Sequence, residues 1–291
     1  MVSWQTKSCP PTAMGGPGDE ALTDSEETQA EEPQAEGTQD RQFVVALSRG
    51  LEVLRCFRAN DAMLGNQEIA ARTGLPKPTV SRLTYTLTKL GYLVYMDHYS
   101  KYKLGTAVLS LGYTALAGMD IRHVARPLMQ ELADYSDVAV SLGSHDRTSM
   151  IYVESCRGKG ALTIRLSVGS RIPVATTAMG RAFLAATPEA ERTAILDEVK
   201  KRHPEDWPRI RQGLERAFRE YAARGFTMSV GDWQSDVHAV GVALTNPATG
   251  TIVALNCGGA AFLLPRERLE GDLGPRLVAV ARKIEAALGR R

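Results

Sequence analysis

The chain has 291 residues, 44% of them apolar, which is enough for two compact domains. No apolar run approaches the roughly 20 residues that would cross a bilayer, and the first residues lack the basic start and apolar core of a secretory signal. The four cysteines are too widely spaced for a Cys-x-x-Cys site and fit reduced thiols. We therefore expect a cytoplasmic protein with no membrane partner, no metal and no cofactor.

The net charge of +2 conceals an uneven distribution. Residues 1–40 hold nine acidic residues and one lysine, with almost no large apolar residues, and predict a disordered acidic tail. Residues 41–104 hold ten basic residues against four acidic ones. This basic surplus is what a phosphate-binding module requires.

An amphipathic helix is predicted between residues 43 and 58. Its apolar residues recur at helical spacing and predict one buried stripe, formed by Val44, Leu47, Leu51 and Leu54. This helix would support the two shorter helices that follow it.

Residues 67–73 predict the first of these two helices. The second has apolar residues at i, i+3, i+7 and i+10, namely Val80, Leu83, Leu87 and Leu90. Between them, Gly74 supplies a left-handed stop, while Pro76 and Pro78 suit the start of the second helix. This is the turn that a helix-turn-helix needs.

The face of the second helix opposite the apolar stripe is predicted to be exposed. It carries hydroxyls and cations, which suit base edges and phosphates, from Ser81, Arg82, Tyr85 and Lys89. After Gly91, residues 92–96 and 101–104 predict two strands around a polar turn, which form a wing with two lysines. We expect Ser81, Arg82 and Tyr85 to reach into the major groove of DNA, with the backbone held by Lys77, Thr79 and Lys101.

Residues 105–119 predict a linker helix with an apolar, small-residue surface. The sequence leaves open whether it packs against a second subunit or only against its own second domain. Beyond a helix at 121–135, the sequence predicts strands at 138–143, 149–154, 162–166, 225–230, 240–244 and 251–257, and helices at 177–186, 189–202, 207–224 and 265–288. Consecutive hairpins with helices between them indicate an antiparallel sheet flanked by helices, an α+β domain.

The helix that begins at Thr177 is the best ligand site that the residues offer. Its first amide groups lack partners within the helix, and the small residues Thr176, Thr177 and Ala178 permit a close approach. A carboxylate would bind there, so we expect an organic acid. The alternative, an ordinary helix cap at Thr177, is compatible with this role.

Four stretches of the chain, in this order and spacing, resemble the IclR family of bacterial transcription regulators: residues 47–54, 74–83, 171–182 and 231–242. The resemblance covers about residues 45–288. It implies a winged helix-turn-helix domain joined by a linker helix to an effector-binding domain related to the GAF fold, acting as a dimer or a dimer of dimers on a palindromic operator. The boundaries would be a tail at 1–40, the winged domain at 41–104, the linker helix at 105–120 and the effector domain at 121–291.

The resemblance also implies the walls of an effector pocket. These would be Ala178 and Met179 from the helix, Val242, Leu244, Asn256 and Gly258 from two strands, and a covering loop of Gln234, Ser235 and Asp236. Most members of the family carry a serine in or near the position of Asn256. The implied function is the repression or activation of a catabolic operon in response to a small organic or aromatic carboxylic acid.

The competing hypothesis is an enzyme whose catalytic domain is residues 121–291, with the winged part as a tether. It would need a nucleophile, an acid/base pair or a metal centre. Asp232, Asp236 and His238 are a weak metal candidate, because polar residues in a glycine-rich loop are more often solvated. Cys257 has no base at a convincing spacing and is expected to be a buried structural thiol.

Overall fold

The computed structural model of the chain describes residues 42–58, 61–158 and 166–290. The predicted acidic tail and nearly all of the predicted strand at 162–166 lie outside these ranges. Within them, no helix combines the length and the apolar character needed to cross a membrane.

The first part of the fold is a three-helix unit with a two-stranded wing, as the sequence predicts. It consists of α1 (Val45–Arg55), α2 (Asn66–Thr73), α3 (Lys77–Lys89), β1 (Leu93–Met96) and β2 (Lys101–Leu104). β1 and β2 pair antiparallel. The elements enclose a small apolar core formed by Val53, Leu64, Ile69, Val80 and Leu93.

The turn between α2 and α3 has the predicted geometry. Gly74 lies in the left-handed region at φ 70°, where a side chain would be strained, and its amide donates to the carbonyl of Ala70 at 2.9 Å. Pro76 caps α3, and Pro78 lies in its first turn. The buried hydroxyl of Thr84 donates to the side-chain oxygen of Asn66 at 3.2 Å and so links α3 to α2.

Two details of the predicted apolar stripes are wrong. Val44, Leu47 and Leu51 are exposed, whereas Val53 is the fully buried residue of α1, because the helix turns a different face to the core. Leu90 is also exposed, since α3 ends at Lys89 and the chain leaves the helical spiral there. The outward face of α1 is therefore apolar.

The linker is α4 (Thr106–Ala117), followed by α5 (Asp120–Ser136). No residue of α4 is buried, and Leu109 and Tyr113 are each 72% exposed. Leu116 is partly buried against the core of the second domain. Packing on its own domain therefore leaves most of the apolar surface of this helix uncovered.

The second part of the fold is built on a six-stranded sheet. Its strands are β3 (Ala139–Asp146), β4 (Ser149–Arg157), β5 (Arg171–Pro173), β6 (Thr227–Val230), β7 (Val237–Thr245) and β8 (Ile252–Ala260). They follow the order β5-β4-β3-β8-β7-β6, and every neighbouring pair is antiparallel. The sequence did not predict the short edge strand β5.

Helices cover both faces of this sheet, which confirms the predicted α+β architecture. One face packs against α6 (Ala178–Ala186), α7 (Glu189–Arg202) and α8 (Trp207–Arg224). The other packs against α5 and α10 (Gly274–Leu288), which follows α9 (Arg266–Arg268) and one π-helical turn at Leu269–Leu273. The start of α6 lies so close to β7 that a Cβ on Gly241 would collide with the carbonyl of Ala178.

Candidate DNA-binding surface and effector cavity

The outward face of α3 presents the predicted recognition residues to solvent. Ser81, Arg82 and Tyr85 are exposed, and the guanidinium of Arg82 has no partner among the described residues. Tyr85 is 64% exposed, with the ammonium group of Lys89 5.5 Å from the centre of its ring. None of these side chains packs in the core of the winged domain, so all of them are accessible for contacts with DNA.

The residues predicted to hold the DNA backbone differ in their surroundings. Lys77 is exposed at the start of α3, and Thr79 is half-buried. Lys101 instead lies with its Nζ 3.0 Å from Oε2 of Glu68. Hydrogen bonds from the Gly65 amide and from Lys101 hold the pKa of Glu68 below its usual value, so the Glu68 carboxylate is ionised at neutral pH. Lys103, also in the wing, is exposed and has no such partner among the described residues.

A cavity of ≈ 30 Å³ lies between the start of α6 and the sheet. Its wall is formed by Ala139, Tyr152, Leu166, Ile172, Thr177, Ala178, Ser229, Trp233, Val237, Ala239, Asn256 and Gly258. This free volume matches one or a few waters, since a single water needs about 10–15 Å³ of such space. The wall is mostly apolar, with a few polar groups directed inward, which is typical of small-molecule sites.

Asn256 is the polar residue that stands out in this wall. It is only 8% exposed, its Nδ2 donates to the Tyr152 hydroxyl at 3.3 Å, and its Oδ1 has no hydrogen-bond partner. Turning the amide over would exchange the two atoms and leave the nitrogen unpaired instead. Because an unpaired buried polar atom is costly, it marks a position where a bound molecule would gain a hydrogen bond.

The start of α6 borders the same cavity through Thr177 and Ala178. Thr177 caps the helix: its hydroxyl accepts from the Gly180 amide at 3.2 Å and donates to the carbonyl of Pro173 at 2.7 Å. The amides of Ala178 and Met179 precede the first hydrogen bond within the helix. The predicted cap is therefore present, and it leaves the N-terminal amides of α6 for another acceptor.

The predicted pocket residues do not all lie at this cavity. Thr177, Ala178, Asn256 and Gly258 line it. Met179 is fully buried beneath Gly143, where its sulfur occupies the space that a Cβ would need.

Two predicted strand residues, Val242 and Leu244, lie in the core on the opposite face of the sheet. Successive residues of a strand point to opposite faces, and the even-numbered positions of β7 point away from α6. Val237 and Ala239 are the residues of β7 that line the cavity.

The predicted covering loop contributes a residue that the sequence did not single out. Gln234, Ser235 and Asp236 are exposed, whereas Trp233 from the same loop lines the cavity. Tyr152 was also missed, because it comes from β4 and reaches Asn256 only through the pairing of distant strands. Both are aromatic residues with a polar tip, and this is the signal that could have found them.

An ion pair anchors the loop that carries Trp233. Arg181 is 1% exposed and donates to the carbonyls of Ala175 and Met228 and, at 2.7 Å, to the carboxylate of Asp232. Arg216 from α8 reaches the same carboxylate at 3.0 Å. Burial acts to raise the pKa of Asp232, but the two arginines outweigh it and hold the pKa below its usual value. Asp232 is thus a charged tether between the loop and α6.

The remaining candidates have structural surroundings. His238 has its Nδ1 2.8 Å from the carbonyl of Leu264, and Asp232 is engaged by arginines. Across the described ranges, no three His, Cys, Asp or Glu residues are grouped as a metal site. Burial raises the pKa of the Cys257 thiol to about 11, so it remains protonated at neutral pH.

Comparison with known proteins identifies both parts of the chain. A family model described as the IclR helix-turn-helix domain matches residues 46–97, and one described as the bacterial transcriptional regulator IclR C-terminal domain matches residues 113–286. The HTH-type transcriptional regulator TsaQ1/TsaQ2 of Comamonas testosteroni is 33% identical over 248 residues, which are 84% of this chain and 89% of that protein.

Solved structures agree with this assignment. An IclR family transcriptional regulator from Brucella abortus is 51% identical, with a TM-score of 0.79 over 86% of this chain and 94% of that one. An IclR homologue from Microbacterium hydrocarbonoxydans, crystallised with 4-hydroxybenzoate, is 22% identical, with a TM-score of 0.61 over 84% of this chain and 100% of that one, and it supports the fold alone. The chain belongs to the IclR family of bacterial transcriptional regulators.

Proposed function

We propose that this protein regulates a catabolic operon by binding a palindromic operator through α3 and the wing, and that a small carboxylic acid in the cavity controls this binding. Its role is regulatory rather than catalytic, and it acts in the cytoplasm. The observation that carries the proposal is the unpaired side-chain oxygen of Asn256, buried beside the start of α6 in a chain that also presents a polar recognition helix.

On the DNA side, Arg82 would read base edges with Ser81 and Tyr85, because α3 turns these three to solvent on one face. Lys77 and Thr79 would meet the phosphate backbone near the start of the helix. In the wing, Lys101 could bind a DNA phosphate only by giving up its ion pair with Glu68. Lys103 is exposed and has no such ion pair among the described residues, so we add it to the proposed phosphate ligands.

On the effector side, the amides at the start of α6 would take the carboxylate, and Asn256 would bind a second polar group of the ligand. The homologue from Microbacterium hydrocarbonoxydans was crystallised with 4-hydroxybenzoate, an aromatic acid that carries both a carboxylate and a hydroxyl, and a ligand of this class would suit both groups here. From the predicted pocket, Thr177, Ala178, Asn256 and Gly258 remain in the proposed site. Tyr152 and Trp233 join it.

The cavity must enlarge to admit such a ligand, since ≈ 30 Å³ is far below the volume of an aromatic ring. Trp233 lies in the loop after Gly231, which has a positive φ of 70°. Movement of this side chain is the simplest way to enlarge the site, because its neighbours Gln234 and Ser235 are exposed and unconstrained by the core. Gln234 and Asp236 would then cover the ligand from outside.

A thermal-shift comparison tests the effector site. Benzoate, 4-hydroxybenzoate and short aliphatic acids would be titrated against the wild-type chain and against Asn256→Leu, which keeps the volume but removes the amide. An effector at 100 times its Kd stabilises the folded state by about 2.7 kcal/mol. We expect the wild type to show such a shift in Tm with at least one acid and Asn256→Leu to lose most of it.

Gln212→Leu, an exposed amide on α8, is the matched control and should respond like the wild type. Equal responses from all three proteins would show that the acid binds elsewhere and would reject this cavity as the effector site.

The uncovered apolar faces of α1 and α4 support a homodimer or a dimer of dimers. Leu47 and Leu51 on α1, and Leu109 and Tyr113 on α4, are exposed. Exposed apolar residues grouped along a helix mark association surfaces. A two-fold dimer would also match the symmetry of a palindromic operator.

Sedimentation of Leu109→Lys combined with Tyr113→Lys tests this interface. The two added charges would have to be desolvated in the dimer, so we expect the dissociation constant to rise at least tenfold. This corresponds to a loss of about 1.4 kcal/mol in the free energy of association. Gln212→Lys with Ala223→Lys on the exposed side of α8 adds the same charge away from α4 and should leave association unchanged. A double α4 variant that sediments like the wild type would exclude this face from the interface.

A further inference from the structure

A second cavity, of ≈ 730 Å³, is a cleft between the winged domain and the effector domain. It lies between the ends of α1 and α2 on one side and the β3–β4 turn, β5 and the end of α7 on the other. Six arginines line it, three from each domain: Arg55, Arg58 and Arg72, and Arg147, Arg171 and Arg202. We refer to this cavity as the arginine cleft.

The carboxylates near the cleft neutralise only part of this charge. Asp146 accepts from Arg55 at 2.5 Å and from Arg171 at 2.6 Å, and so joins the two domains. Asp61 pairs with Arg72.

The other three arginines, Arg58, Arg147 and Arg202, have no ion pair among the described residues. The nearby acids are Asp146 and Asp61, which pair with three of the arginines, and Glu198 and Glu68, which act on Arg202 and Arg72 at longer range. The six arginines of the cleft still outnumber these four acids.

The chemistry of the cleft fits a multiply charged anion. Guanidinium groups match carboxylate and phosphate oxygens in paired hydrogen bonds. The hydroxyls of Thr148, Ser149 and Ser170 also line the cleft, as does Gly169, whose φ is 88°. Arginines held together without an anion repel one another, so a ligand that supplies negative charge would relieve an existing cost.

We propose that the arginine cleft binds a small polyanion, a molecule with two or more phosphate or carboxylate groups, at a site distinct from the effector cavity. Because each domain contributes three arginines, the bound anion would bridge them and fix the orientation of the winged domain on the effector domain. It would therefore act on DNA binding from a second site, which touches the effector cavity only at Leu166.

Calorimetric titration of the full chain with pyrophosphate and, separately, with citrate tests the proposal. Both titrations would be run at constant ionic strength. The cleft variant carries Arg147→Gln and Arg202→Gln, which remove two charges that support no ion pair in the fold. The control carries Arg219→Gln and Arg282→Gln, two exposed arginines away from the cleft, and so has the same net charge.

We expect the wild type and the control to bind at least one probe with the same affinity, and the cleft variant to bind it at least tenfold more weakly with an unchanged Tm. Tighter binding of pyrophosphate would assign the site to phosphorylated molecules, and tighter binding of citrate to polycarboxylates. Asn256→Leu should leave these affinities unchanged, so that a failure of the effector cavity and a failure of this proposal give different results.

Three results would overturn the proposal. In the first, the wild type binds neither probe. In the second, the control loses as much affinity as the cleft variant, which would indicate non-specific binding to positive charge. In the third, the cleft variant binds the probes like the wild type but binds duplex DNA more weakly, with a smaller dependence on salt. The arginines would then belong to the DNA-contacting surface.

Discussion

The winged domain and the effector domain place their functional groups in opposite ways. In the winged domain, the proposed recognition residues lie within one turn and a half of α3 and are exposed. In the effector domain, the cavity wall is collected from positions between Ala139 and Gly258 and is mostly buried. The first surface depends on one helix, whereas the second depends on the pairing of strands that are distant in the chain.

In the winged domain, the residues proposed for function can therefore be changed without affecting stability. In the effector domain, the same residues contribute to both. Ser81, Arg82 and Tyr85 make no contact that the winged core needs, so changing them should alter DNA binding without unfolding the protein. Around the effector cavity, Arg181 and Asp232 position the loop with Trp233 and also hold buried charge. Variants there should change binding and stability together.

The largest expected effect is that of Asp232→Asn on stability. The substitution removes the carboxylate that neutralises Arg181, a side chain only 1% exposed. Leaving one member of a buried ion pair alone costs about 3–5 kcal/mol, and we expect about 3 kcal/mol because Asp232 itself is partly exposed. Urea unfolding would measure this as a lower midpoint at constant m-value.

Asp206→Asn is the matched control for Asp232→Asn. It breaks an ion pair with Arg209 that is exposed on both sides, and such pairs contribute about 0–1 kcal/mol. If the two variants lose a similar free energy of unfolding, the Asp232–Arg181 pair contributes no more to stability than an exposed ion pair does. The proposed link between the effector site and stability would then be wrong.

Arg82→Ala should have the next largest effect, and on DNA recognition alone. A base contact by arginine is worth about 1–3 kcal/mol of discrimination. We expect the preference for operator over scrambled duplex to fall about tenfold or more, while non-specific binding and the urea midpoint change little. Fluorescence anisotropy with both duplexes measures the preference.

Lys77→Ala provides the contrast with Arg82→Ala. A lysine that meets a phosphate should weaken binding to both duplexes equally and lower the slope of log affinity against log salt by about 1. Full discrimination retained by Arg82→Ala would exclude this residue from base recognition.

The same contrast explains which features the sequence could predict. The turn between α2 and α3 follows from Gly74, Pro76 and Pro78, because left-handed glycine and helix-start proline act locally. The exposed face of α3 follows from its 3.6-residue period. The buried face of α1 does not, since Leu47 and Leu51 satisfy the same period as a core stripe and yet point outward. Only the tertiary packing of Val53 distinguishes the two faces.

In the effector domain, the sequence predicted elements more reliably than the faces they present. Val242 and Leu244 lie on a correctly predicted strand, but β7 is apolar on both faces, so alternation gives no sign of which face meets α6. Asn256 and Tyr152 meet only because β8 and β4 both flank β3. Such a contact depends on strand register, which local patterns do not contain.

The smallest expected effect concerns pH and the effector cavity. Among the described residues of its wall, Tyr152 is the only ionisable side chain. Burial raises the pKa of this phenol above its ordinary value of 10, against hydrogen bonds with Asn256 and Ser141 that act to lower it. The phenol is neutral below its pKa, and only its anion would repel a bound carboxylate, so affinity should fall only above pH 10. Between about pH 6 and 9, where benzoate-type acids remain ionised, calorimetry should show a change in effector affinity of less than about twofold. A tenfold change in that range would show that a titrating group outside this wall reaches the ligand, and that the cavity is less isolated from solvent than its burial indicates.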